Sequence, residues 1–192
     1  MKELFAVLAL GVSLAANVPY VIEIVKGEVK PERISWLLWT ILGGVYFFST
    51  IVDEGATLFT LGELLAPIVI FCLSLKYGVG GKSRFDLISL AIALASLSLL
   101  LIVNGALVSL LLALFVDAIG ITLTVRKLKL DPTSESRMFW IMAGVSGVFA
   151  LLSLESYSLV AILFPLYVVI ISTVVSVEIH RGRPHPERIE QL

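Results

Sequence analysis

The sequence predicts an all-α polytopic membrane protein, with seven transmembrane helices arranged as two parallel three-helix repeats around a linker helix. Three observations predict it. The chain is 58% apolar and only 15% charged, and its apolar runs approach the roughly 20 residues that cross a hydrocarbon core about 30 Å thick. The charges gather in short segments between those runs. Finally, Pro31, Ser35 and Trp39 recur as Pro132, Ser136 and Trp140. The same 101-residue offset places Lys26 on Lys127, Gly43 on Gly144, Glu54 on Glu155 and Leu65 on Leu166. A constant offset over that distance reads as an internal duplication.

Span one covers about 4–25, with Asn17 and Pro19 interrupting its inner half. It is longer than a signal-peptide core and lacks a clean small-residue cleavage site, so it is expected to be retained. A short charged loop leads to Pro31, a residue suited to a helix start because its missing N–H has no partner there anyway. Span two covers about 34–52, where Gly43-Gly44 permits close helix approach, and a polar turn at 53–55 follows. Span three, about 57–75, carries Glu63 and Pro67. A Gly- and Lys-rich linker then precedes span four at 87–103, which holds no charge. Asn104-Gly105 signals a turn. Span five, about 106–125, carries Asp117 and Gly120, and residues 126–137 read as a second charged loop. Span six is 138–154 and span seven 157–177, with Pro165 inside it. The polar tail that follows is expected to lack regular structure. The organisation is thus a first repeat at 1–76, the linker span at 77–104, a second repeat at 105–179 and a tail at 180–192.

Seven spans put the termini on opposite sides. Of the 14 Lys and Arg residues, all but Lys2 lie after spans one, three, five and seven. Excess Lys and Arg stays cytoplasmic, which predicts a plasma-membrane protein with its N-terminus outside and C-terminus inside. Lipid or partner recognition is the other reading of those basic loops. They are short, and topology accounts for them, so nucleic acid is not an expected partner. The single cysteine, Cys72, excludes an intramolecular disulfide and a CxxC site. His180 and His185 have no carboxylate cluster beside them, so no metal or other cofactor is expected. The chain holds no HExxH or GxSxG pattern and no paired aspartates at catalytic helix spacing, so it is read as not an enzyme. A retinal receptor needs a lysine within a span, and the predicted spans hold none.

Several residues stand out as candidates for a solute cavity. Asp117 lies near the centre of span five, where a carboxylate must be neutral, paired or facing water. It serves either a solute or proton site or a packing hydrogen bond, for example to Asn17 or a Ser or Thr. Glu63, in the outer half of span three, either lines an outer vestibule or bonds a neighbouring helix. Glu23 sits close enough to the inner end of span one to reach interfacial water. Pro19 and Gly120 occupy equivalent positions and both weaken a helix, which marks a paired hinge or site or ordinary membrane-helix composition. Asn17 and Thr122 lie near them and offer hydrogen bonds. Trp36, Trp39 and Trp140 form either an interfacial aromatic belt or, for the mates Trp39 and Trp140, the inner cap of a cavity. Ser35 and Ser136 are helix-start residues.

The chain resembles a prokaryotic family of seven-span membrane proteins that has no assigned function. The matching features are Pro19-Tyr20, Gly27, Pro31-Glu32-Arg33, Ser35-Trp36, Trp39, Arg84-Phe85-Asp86, Asp117, Pro132, Glu135 and Phe164-Pro165-Leu166-Tyr167. In topology and repeat layout it also resembles the SWEET and PQ-loop transporter superfamily, although the Pro-Gln pair of that superfamily is absent: Pro19 is followed by Tyr20. Glu63 departs from the small or apolar residue that the resemblance implies. The resemblance implies a facilitator or proton-coupled transporter of a small polar solute, working by alternating access between the repeats. A ligand-binding receptor or sorting protein of the same fold is the alternative. Half-size members of the superfamily are expected to pair, which implies that a duplicated chain forms a full unit alone; a homo-oligomer stays open.

Overall fold

The computed structural model describes residues 1–52, 57–100 and 102–182. The turn expected at 53–55, Glu54 of the repeat, and the tail beyond 182 with His185 lie outside these residues. Among the described residues the fold is all-α: α1 (Lys2–Lys26), α2 (Arg33–Val52), α3 (Thr57–Tyr77), α4 (Arg84–Leu99), α5 (Ala106–Leu130), α6 (Arg137–Ser153) and α7 (Leu159–Gly182). The only extended pairing among them is an isolated bridge between Glu32 and Val79. Four of the helices, α1, α3, α5 and α7, are long and apolar enough to cross a membrane.

Local chemistry sets the helix ends. Gly27 closes α1 in the left-handed region, φ 79°, and its N–H reaches back to the Glu23 and Ile24 carbonyls; a side chain would be strained there. Ser83 and Asp86 form a reciprocal capping box that starts α4 three residues before the expected span. Ser136 caps α6 by accepting from the Phe139 N–H. α5 departs from expectation at its C-terminal end. It runs to Leu130, through residues expected to be loop, because Arg126 and Lys127 find acidic partners and the helix gains by continuing. α7 likewise passes the expected boundary and ends at Gly182, with His180 and Arg181 in its last turn, where a positive charge favours the helix dipole.

α1 packs on α3 and α6, α2 on α3 and α5, and α7 on α5 and α6, while α4 lies against α5 and, more slightly, α2. Two glycines let helices close in. A Cβ on Gly43 would collide with the Glu63 carbonyl of α3, and one on Gly144 would sit 3.3 Å from Ser172 Cβ of α7. Loops 27–32, 78–83 and 131–136 meet at one end. There the Lys30 N–H donates to the Ser134 carbonyl and the Arg33 N–H to that of Val79, and Arg33 also bridges to the Ser74 and Gly80 carbonyls. The Lys2–Glu155 ion pair marks the opposite end.

Large apolar side chains face outward as well as into the core, and several small polar ones are enclosed. Val7, Val18, Val25, Phe115 and Ile170 are each more than half exposed, while Ser35, Ser74, Thr124 and Ser146 are almost fully enclosed. Trp39 touches all three of the larger apolar clusters. It is therefore the point where α2 joins both halves of the bundle.

Candidate functional site

A cavity of about 90 Å³ lies between α1, α2, α3, α5, α6 and α7. Asn17, Trp39, Glu63, Asp117 and Trp140 all line it, so five of the six residues picked out as cavity candidates converge from five helices. Thr122 does not. It is exposed, and its hydroxyl donates to the Ala118 carbonyl one turn back. Helical phase explains this: five residues from Asp117 is about 140° around the helix. Thr124, seven residues away, returns to the inner face and is buried.

Asp117 accepts a 2.6 Å hydrogen bond from the Tyr167 hydroxyl of α7, and Glu63 accepts one of 2.9 Å from Ser13 of α1. The Asn17 side-chain amide donates to the Ser13 carbonyl at 2.6 Å, a contact within α1. The cavity lining contains no Lys, Arg or His, and neither cavity carboxylate is in an ion pair among the described residues. Four polar atoms of lining residues have no partner among those residues: Asn17 Oδ1, Trp36 Nε1, Tyr46 OH and Ser172 Oγ.

Aromatic rings close the cavity toward the end where the loops meet. Trp39 meets Trp36 edge-on at 4.8 Å and Trp140 at 5.9 Å, and Phe139 lies 5.2 Å from Trp140. Trp36 and Trp140 are 2% and 4% exposed, which overturns the interfacial-belt reading for these two and leaves them as inner walls. Higher along α2, about 10 Å away at helical rise, Tyr46 lies against Phe164 with ring centroids 4.3 Å apart and planes tilted by 37°.

Pro19 and Gly120 both lie within unbroken helices. Gly120 has a packing role: a Cβ there would come within 3.0 Å of Trp39 Nε1, and its carbonyl accepts from Ser35 Oγ at 2.7 Å.

Beyond the aromatic floor lies a buried polar cluster that the sequence reading missed. The Lys127 ammonium donates to Glu135 and to the Lys30 and Ser134 carbonyls. Glu135 also accepts from Tyr20 OH at 3.0 Å and Trp140 Nε1 at 3.1 Å. Lys127 was expected in a charged loop; it is instead a buried cation at the end of α5. Nearby, burial pushes the Glu32 carboxyl up, opposed by its bonds from the Ser35 N–H and hydroxyl. Asp86 goes the other way. Burial raises it, but bonds from Ser83, Gly81 and Lys82 outweigh that and hold it below the ordinary carboxylate value. Arg126 pairs with its second oxygen at 2.9 Å.

Comparison with protein families, curated proteins and solved structures gave no match. The candidate site therefore stands on its own geometry.

Proposed function

We propose that this chain is a SWEET- and PQ-loop-like membrane transporter of a small polar solute, in which two three-helix repeats rock about a central cavity. The repeats are α1–α3 and α5–α7, and α4 is the linker. Exchanging α1 with α5, α2 with α6 and α3 with α7 turns the principal helix neighbours of the bundle into one another, apart from those of α4. The offset mates Gly43 and Gly144 each sit where the second helix of a repeat meets the third. The extensive apolar surface exposed along the helices supports a bilayer as the surrounding solvent. The Lys- and Arg-rich loops share one end, and the positive-inside rule makes that end cytoplasmic, with the N-terminus outside and α2, α4 and α6 also crossing the plasma membrane.

The cavity between the repeats carries the reading: it holds two carboxylates and several unsatisfied polar atoms in the middle of an apolar bundle. Such a site is expensive to maintain without an occupant. The test is flux into liposomes holding the purified protein, using sugars, vitamins and amino acids with and without a proton gradient. Protein-dependent uptake of one solute class is expected. Saturable binding without flux of any solute would replace this reading with a receptor of the same fold.

A further inference from the structure

We infer that the occupant of the central cavity is a small organic cation, an amine or quaternary ammonium. This rests on the transporter reading for its location, and the structure carries the chemistry. Glu63 on α3 and Asp117 on α5 face one cavity that has no basic residue on its lining. Three acids near the loop end are paired from within the chain, Glu135 with Lys127, Asp86 with Arg126 and Asp131 with Lys30, while Glu32 there is held by the Ser35 N–H and hydroxyl. In the cavity the balancing positive charge is left to an occupant or to protons.

The rest of the lining suits a cation better than a sugar. Trp36, Trp39, Phe139 and Trp140 form its floor and Tyr46 and Phe164 its far wall, and ring faces attract a desolvated ammonium. Ser172 is 2% exposed and its hydroxyl, on the cavity lining, has no partner among the described residues. With Asn17 Oδ1 and Tyr46 OH it supplies a few oxygen acceptors for N–H or O–H groups of the ligand. A site built for a neutral polyol would be expected to offer more paired donors and acceptors than this one does.

The chain provides its own reporter, because all three of its tryptophans line the cavity. The experiment is a tryptophan-fluorescence titration of the detergent-purified full chain with choline, tetramethylammonium and dimethylbutanol, the neutral carbon isostere of choline. Choline is expected to give a saturable change and the isostere to bind about tenfold more weakly or worse, the difference being that expected of a desolvated cation among rings and carboxylates. Asp117→Asn is expected to lose at least about tenfold in choline affinity while retaining its helical circular dichroism. The comparison of isosteres uses the unaltered protein, so a variant that misfolds leaves the test intact. Equal binding of choline and its isostere, or no fluorescence change with either cation, overturns the inference. Flux of a neutral solute together with silent cations would sink the cation assignment and leave the transporter standing. Cation binding without any flux would do the reverse.

Discussion

Lys127→Met is the most informative single change in the buried cluster. The substitution keeps most of the aliphatic stem and removes the ammonium. The lysine side chain is 8% exposed and that of its partner Glu135 only 1%, so solvent cannot replace the lost charge. Breaking a buried pair from one side costs about 3–5 kcal/mol. The Lys30 and Ser134 carbonyls also lose a donor, which keeps the expected value in the upper half of that range. Glu135→Gln leaves the ammonium buried but with two carbonyl acceptors, and is expected to cost about 2–4 kcal/mol. The double variant holds no unpaired charge, and Gln can still accept from Tyr20 and Trp140. It is expected to cost only about 2 kcal/mol, a coupling of at least about 4 kcal/mol. The assay is SDS-induced unfolding in mixed micelles followed by tryptophan emission, since Trp140 bonds Glu135 directly. Additivity of the two single changes to within about 0.5 kcal/mol would refute the reasoning, because it would mean that the two groups do not sense each other in the folded protein.

Three other outcomes follow from the same geometry. Gly43→Ala is expected to lose about 1–3 kcal/mol by forcing α2 off the Glu63 carbonyl, whereas Gly11→Ala, where a Cβ meets nothing, is expected to gain up to about 1 kcal/mol in the same unfolding assay. Asp86 titrates below its ordinary value of 3.8, so its ionisation favours the folded state. That contribution is full above pH 3.8 and is lost as pH falls through the lower folded value; the stability gap between the parent and Asp86→Asn should close in that acid range, and a gap constant with pH would count against it. Thr122→Val is expected to leave choline titrations unchanged, because the hydroxyl points away from the cavity and bonds its own helix.

Much of the bundle was legible because length and charge placement act locally. Apolar runs located all seven helices, and Pro31 and Ser136 marked two starts within a turn. The helix ends were less legible where distant residues decide them. Lys127 reads as a loop residue because charge next to an apolar run normally ends a span. It stays helical and buried here only because Glu135 folds back eight residues later and the carbonyl of Lys30 arrives from another loop. Asp117, Glu63 and Asn17 were visible as polar residues in apolar surroundings. Tyr46, Tyr167 and Ser172 stood out less, since tyrosine and serine are common enough in such helices to carry no signal until a partner, or the lack of one, is seen. Thr122 shows that proximity along a helix is not proximity in space: Thr124 has the right phase and is the residue that turns inward.

Asp86 at the loop end and the two cavity acids are held differently, and the difference has a physical reason. At the loop end, charge can be fixed permanently, because basic side chains and free helix-start amides are both at hand; Asp86 uses three amides and an arginine. Such a site is rigid and gains nothing from a ligand. Toward the middle of the bundle the helices have no free amides to give, and a lysine or arginine there would neutralise the carboxylates for good. Asp117 and Glu63 instead receive hydroxyl groups from Tyr167 and Ser13, which orient the carboxyl oxygens without cancelling their charge.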